Sequence, residues 1–166
     1  MEKALLCADK ETETEAVFER NGDNIYRLCR SFMKTREDAE DAVQETFLKL
    51  MRSNMRFASA EHEKAWLIVT ASNTCRDMLK KRSRRDENID DHFELAAEQP
   101  GDLSEIREAI RALPDKYKTA VFMFYYMGYS TDEIARILSQ PPSTVRNHLG
   151  RARKMLKNML GGDNNA

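Results

Sequence analysis

GYSTDEIARILSQPPSTVRNHLGRARKMLK, residues 128–157, decides how this chain is read. Ser130 is a good N-cap with Glu133 three residues on, the spacing of a capping box. Ile134, Ile137 and Leu138 then recur at helical spacing until Ser139-Gln140-Pro141-Pro142 interrupts them. Ser143 or Thr144 is expected to cap a second helix. On that helix Val145, Leu149, Ala152, Leu156 and Met159 step by four, three, four and three, one apolar stripe, with Arg146, Asn147, Arg151, Arg153, Lys154 and Lys157 lying off it. Residues 146–157 carry five Lys or Arg and no acid. A solvated helix face usually mixes charge signs. An unmixed cationic face beside a capped turn and a core stripe therefore points to a helix-turn-helix that contacts DNA.

Elsewhere the apolar spacing is helical almost throughout and alternating β-branched runs are nearly absent, so the fold is expected to be all-α. Val17, Ile25, Leu28 and Phe32 outline a first helix ending near Lys34. The next, residues 36–52, carries Ala39, Ala42, Val43, Thr46, Phe47 and Leu50 on one face. A third, from Glu63 to about Arg84, has Trp66, Leu67, Val69, Thr70, Asn73, Met78 and Leu79. Residues 105–160 supply a second helical domain. In it, one helix ends near Leu113-Pro114 and another, over residues 115–127, is expected to turn Val121, Phe122 and Tyr125 inward.

The chain has 166 residues, with 27 basic against 28 acidic, so its information lies in how charge is segregated. Residues 76–85 hold six Lys or Arg against Asp77 alone, whereas residues 86–108 hold nine Asp or Glu against Arg107 alone. The acidic stretch, containing Pro100-Gly101 and no sustained period, reads as a flexible linker over 86–104, with a surface helix near residues 93–98 as the alternative for part of it. The expected organisation is thus two small helical domains, 1–85 and 105–166, joined by an acidic linker. Cys7, Cys29 and Cys75 are odd in number and widely spaced, which argues against a disulfide framework or zinc site and for a reducing compartment. The longest apolar run, residues 120–129, is about half the ~20 residues of a membrane helix. A soluble, cytoplasmic chain is the expectation. Scattered His62, His92 and His148, and the absence of a phosphate loop, give no support to an enzyme, and no cofactor or metal is expected.

Taken together, the two halves resemble the extracytoplasmic-function sigma factors, the smallest promoter-recognition subunits of bacterial RNA polymerase. YRLCRSFMKTREDAEDAVQETFLKLMR (26–52) is similar to the family segment built on D-A-E-D-x-V-Q-E-x-F, and AWLIVTASNTCRDMLKKRSRR (65–85) to its W-L-x-x-I-A-x-N-x-x-x-D-x-x-R-R segment. ALPDKYKTAVFMFYYMGYSTDEIARIL followed by STVRNHLGRARKML resembles its promoter-binding helix-turn-helix. The resemblance implies a region 2 domain, which binds core polymerase and the minus-10 element, and a region 4 domain, which reads minus-35.

By this resemblance Asp41, Gln44 and Glu45 dock on the clamp helices of the largest polymerase subunit. On the residues alone the patch reads equally as a solvated acidic face. Phe57 and Asn73 correspond to residues around a pocket for an unstacked minus-10 base; an aromatic wall and an amide suit that task, and a helix-packing amide is the other reading of Asn73. Arg76, Lys80, Lys81, Arg82, Arg84 and Arg85 are implied to track phosphates near the melted strand. Ser143, Thr144, Arg146, Asn147, Gly150, Arg151, Arg153 and Lys154 are implied to face the minus-35 duplex. There Arg suits guanine O6 and N7, and Asn suits adenine N6 and N7. Gly150 stands where many relatives carry a larger side chain, Ser139 and Ser143 where the family often has glycine, and Pro141-Pro142 is unusual. The resemblance also implies contact with the polymerase flap and an anti-sigma partner. A stand-alone helix-turn-helix regulator is the competing reading, and it would need a ligand pocket, phosphoacceptor or dimer seam in the first domain.

Overall fold

The fold is that of a computed structural model; the structure describes residues 2–85 and 102–161. All regular structure there is helical: α1 Glu2–Phe32, α2 Arg36–Arg52, α3 Ala60–Arg85, α4 Asp102–Ala112, α5 Asp115–Val121, α6 Thr131–Leu138 and α7 Pro142–Gly161. The alternative surface helix near 93–98 and most of the expected linker lie outside the described residues. α4 begins at Asp102, before the expected end of that linker.

α1 to α3 form one helical unit. α2 shows why the chain folds locally as it does: Thr35 caps it, its Oγ1 accepting from Asp38 N at 3.2 Å, with Glu37 and Asp38 in the first turn and Lys49 and Arg52 in the last. All six residues assigned to its apolar face are buried, and Ala39 and Ala42, fully enclosed, let the neighbouring helices approach closely. They meet Ile25, Leu28, Cys29 and Phe32 of α1 and Leu67, Ile68, Ala71 and Cys75 of α3. α1 starts some fifteen residues ahead of its expected apolar stripe, at Glu2. Its first half is rich in Ala, Leu, Glu and Lys and lacks Gly and Pro, a composition that propagates helix beyond the packed face.

Two carboxylates tie this unit together. Glu63, 7% exposed, accepts from Arg20 Nε and Nη2 at 3.1 and 3.0 Å and from Asn21 Nδ2 at 2.7 Å. Asp38 takes both guanidinium nitrogens of Arg82, joining the start of α2 to the end of α3. The Arg20 hydrogen bonds hold the Glu63 pKa below its ordinary value, and those of Arg82 do the same for Asp38. A depressed folded pKa adds stability above the unfolded value, about 4 for either group, that is lost as pH falls through the folded one. Glu63→Gln and Asp38→Asn are therefore expected to lower the thermal midpoint at pH 7 and to flatten its fall below about pH 4. Circular-dichroism melts across about pH 2–7 read both effects; an acid limb parallel to wild type would mean other carboxylates set it.

α4 to α7 form the second unit, around Leu113, Tyr117, Ala120, Val121, Met123, Ile134, Ala135, Val145, Leu149 and Ala152. The helix expected over 115–127 is broken: after Val121, residues Phe122–Tyr126 form a π-turn, with Met127 N donating to Phe122 O at 3.1 Å. The wider turn rotates the side chains that follow, and Tyr125, expected inward, is 54% exposed. The Ser130–Glu133 capping box forms as expected. Ser143 and Thr144 do not cap α7. The helix starts at Pro142, whose fixed φ and missing N–H suit a first helical position, and Thr144 N and Val145 N both donate to Pro141 O. Ser139 closes α6 in the left-handed region, φ 52°, where the family often has the more permissive glycine.

The two units touch. Thr119 Oγ1 donates to Ser72 Oγ at 2.9 Å in a buried contact, Arg111 Nη1 donates to Lys34 O at 3.1 Å, and Tyr129 OH donates to Glu61 Oε2 at 3.3 Å. Lys118, 3% exposed, lies 3.5 Å from Asp115 with its ammonium over the Phe32 ring, and burial lowers its pKa. Among the described residues, no helix is long and apolar enough to cross a membrane.

Candidate nucleic-acid and docking interfaces

Three surfaces carry the residues singled out in the sequence. The first lies on α2. Asp41 and Gln44 are exposed and line an open groove of about 800 Å³ between α1 and α2. Its floor is apolar, from Phe18 and Tyr26 of α1 and Val43, Phe47, Leu48 and Met51 of α2. Phe18, 48% exposed, packs edge-on against Phe47 at 5.0 Å, and its ring lies 3.3 Å from where a Cβ on Gly22 would sit. Glu45 is half-buried, 3.9 Å from Arg52, and is not among the residues lining the groove. The groove thus adds to Asp41 and Gln44 an apolar floor built by two helices, which no single stretch of sequence displays.

The second surface spans residues 53–59 and the outer face of α3. Phe57 is half-buried, its ring edge-on to His62 at 5.5 Å and to Trp66 at 5.8 Å. Trp66, half-buried, serves as a wall for Phe57 as well as core. Asn73 is exposed while Leu67, Ile68, Ala71, Ser72, Thr74 and Cys75 form the buried face of α3. The helix-packing reading of Asn73 therefore has no support in its burial. Its Oδ1 accepts from Arg76 Nη1 at 3.2 Å, and Arg76 Nη2 also reaches Asp115 O at 3.5 Å and Thr119 Oγ1 at 3.4 Å. Lys80, Lys81, Arg84 and Arg85 are exposed along the same end of the helix; Arg82 is held by Asp38. The cations of 76–85 thus divide into two with the intramolecular partners described above and four that extend outward.

The third is α7. Val145, Leu149 and Ala152 are buried, Leu156 is half-buried, and Met159, at the end of the stripe, is 42% exposed where α7 runs past the domain. Ser143, Arg146, Asn147, Arg151, Arg153 and Lys154 are exposed, and Thr144 and Gly150 half-exposed, all on one side of the helix. Sequence reading missed a support beneath them. Tyr117 of α5 is buried, with its ring 5.1 Å from His148 and its hydroxyl beside Arg151, which lowers the tyrosine pKa. His148, half-buried, packs on this ring with its Nδ1 buried; burial foremost, then Lys116 and Arg151, lower its pKa. The nearest sequence signal is the four-residue step from Leu113 to Tyr117, which carries no mark of a partner on α7.

A Cβ placed on Gly150 would meet no atom within 4 Å. Glycine inside a helix costs about 1 kcal/mol relative to alanine, so Gly150→Ala is expected to stabilise the chain by about 0.5–1 kcal/mol, read as a higher thermal midpoint. A loss of minus-35 affinity in the same variant would identify close backbone approach to DNA at this position, and unchanged affinity would exclude it.

Comparison with known proteins matches residues 17–85 to the family described as Sigma-70 region 2 and residues 103–156 to Sigma-70, region 4. The chain is 31% identical over 144 residues to the ECF RNA polymerase sigma-E factor of Haemophilus influenzae, covering 76% of each protein. It is 29% identical over 140 residues to the RNA polymerase sigma factor SigV of Bacillus subtilis, covering 82% of this chain and 84% of the relative. Among solved structures it resembles the sigma factor RpoE in complex with the anti-sigma factor NepR from Bartonella quintana, with a TM-score of 0.68 and 23% identity over 93% of this chain and 98% of that one. It also resembles CnrH in complex with the cytosolic domain of CnrY, with a TM-score of 0.65 and 22% identity over 96% and 97% of the two chains.

Proposed function

The chain belongs to the extracytoplasmic-function sigma factors and directs promoter recognition and transcription initiation by RNA polymerase, and from that premise we propose how its surfaces divide the work. The α1–α2 groove, with Asp41 and Gln44 at its rim and Phe18 and Phe47 in its floor, receives the clamp helices of the polymerase. Acidic rim charges steer a basic partner, and the apolar floor supplies burial. α7 lies in the major groove at minus-35, with Arg146, Asn147 and Arg151 reading bases and Arg153 and Lys154 on phosphates. Phe57 and Asn73 hold an unstacked minus-10 base, while Lys80, Lys81, Arg84 and Arg85 follow the strand. Contact with the polymerase flap belongs to the second unit.

The observation that carries this reading is the pairing of an exposed amide on α3, Asn73, with a half-buried aromatic, Phe57, packed against the rings of His62 and Trp66. Arg76, bonded to Asn73, is engaged by Asp115 O and Thr119 Oγ1 of the second unit. Engagement of both promoter elements, more than one ~34 Å helical turn apart, requires α5 to withdraw from α3, and the 16 residues from 86 to 101, ahead of α4, are long enough to span up to ~55 Å. An anti-sigma partner that holds the two units together is part of the same proposal; the RpoE sigma factor that shares this fold was solved in complex with the anti-sigma factor NepR.

Phe57→Ala and Asn73→Ala are each expected to leave minus-35 duplex binding unchanged and to reduce promoter opening, Phe57→Ala by about 5- to 100-fold, the range of one lost base-stacking contact. Permanganate reactivity of thymines in the melted region, beside a duplex-binding assay, separates the two steps. Wild-type opening by both variants would remove the base pocket from this surface.

A further inference from the structure

We propose that His62 is a positioning residue for base capture, acting through Phe57 by fixing the loop that presents it. This rests on the reading of Phe57 given above. Residues 53–59 contain no regular structure, yet both ends are fastened. At the first end Ser53 Oγ donates to Leu50 O at 2.7 Å and accepts from Met55 N at 3.3 Å. At the second, Ser59 Oγ accepts from His62 N at 3.1 Å while His62 Nδ1 accepts from Ala58 N, also at 3.1 Å.

The exchange has the logic of the Ser130–Glu133 box, in which Glu133 accepts from Ser130 N at 2.8 Å and Ser130 Oγ from Glu133 N at 3.2 Å. It differs in reach. The acceptor on His62 passes over the capping serine to the amide of Ala58, the residue that follows Phe57 directly. The same imidazole stands perpendicular to the Phe57 ring, interplanar angle 89° at 5.5 Å, with Trp66, one turn further along α3, at 61° and 5.8 Å. Backbone and side chain of the presenting segment are thus fixed by one exposed residue.

A glutamate at this position, the usual partner in such a box, would supply the acceptor. It would also lack the ring and would set a negative charge beside a surface that has to receive phosphates. Histidine supplies a ring-nitrogen acceptor and an aromatic edge together. Without it, the Ala58 amide loses its partner and the Phe57 rotamer loses a wall, so the stacking face must be ordered at the moment the base arrives.

The test is a double-mutant cycle on full-length protein assembled with core polymerase, scored by promoter opening and by minus-35 duplex binding. His62→Ala is expected to lower opening by about 5- to 50-fold, within the stacking range, with duplex binding unchanged. Phe57→Ala/His62→Ala should open no worse than Phe57→Ala alone, since both act on one contact. His62→Gln keeps an acceptor and lacks the ring, and an intermediate rate is expected; circular dichroism confirms folding, and if His62→Ala does not fold, His62→Gln carries the cycle with Phe57→Ala. Wild-type opening by the His62 variants beside a defective Phe57→Ala overturns the proposal, as do additive losses in the double variant. Wild-type opening by Phe57→Ala would instead overturn the base-pocket reading beneath it.

Discussion

Asp41→Arg is expected to leave the helical content and thermal midpoint of the chain nearly unchanged and to lower its affinity for core polymerase by about 2–5 kcal/mol, roughly 30- to 4,000-fold. The first half follows from exposure: Asp41 stands at the groove rim with its side chain in solvent, and surface substitutions away from caps and cores stay within about 0.5 kcal/mol. The second follows from charge. A reversal there replaces an attractive rim with like charges against a basic docking surface and leaves the apolar floor in place. Glu45→Arg should act more weakly, because Glu45 is half-buried beside Arg52 and is not among the groove-lining residues; part of its cost would be the clash with that arginine. Pull-down of polymerase subunits beside circular dichroism reads both halves. Undiminished binding by Asp41→Arg would remove the clamp-docking assignment from this groove.

Arg146→Ala and Arg151→Ala are each expected to weaken minus-35 duplex binding by about 1–3 kcal/mol and to relax preference at the base they read. The two should not behave alike in the absence of DNA. Arg146 is exposed on α7, whereas Arg151 stands beside the buried Tyr117 hydroxyl, so Arg151→Ala also removes a cation packed against α5. Tyr117→Phe, which keeps the ring against His148 and removes the hydroxyl, should reproduce a small part of the Arg151→Ala loss. Fluorescence anisotropy against single-base promoter variants measures this. A uniform loss on every sequence would make both arginines phosphate anchors.

Much of the fold was legible because its determinants are local. The Ser130–Glu133 box and the buried face of α2 follow from spacing alone, and both stand as read. Where two local signals competed, the reading failed: Ser143 and Thr144 are both good caps, yet the fixed φ of Pro142 starts α7 first. The π-turn at Phe122–Tyr126 had no mark in the sequence, since continuous helix and π-turn share one apolar composition, and Tyr125 was placed on the wrong side as a result. Site residues followed the same division. Charged positions on α7 could be read from helical phase, whereas Asn73, grouped in the sequence with the apolar positions of α3 and open to a packing role, proved exposed. The apolar floor under Asp41 could not be read so, because α1 and α2 build it jointly. Nor could the tie between Arg82 and Asp38, which are 44 residues apart in sequence and whose pairing takes Arg82 out of the cations of 76–85 that extend outward. His62 left one trace, a Ser59-x-x-His62 spacing that matches a capping box with an unusual partner.

Reconstituted transcription is the most direct measurement of promoter direction by this chain: core polymerase with and without it, on supercoiled templates carrying genomic promoter fragments, with start sites mapped by primer extension. The expected result is initiation that requires the chain, confined to fragments sharing a duplex minus-35 element and a melted minus-10 element, and lost with Asp41→Arg while isolated duplex binding by that variant persists. Sequence-specific duplex binding by the wild-type chain, with no chain-dependent start site on any fragment it binds, would contradict it.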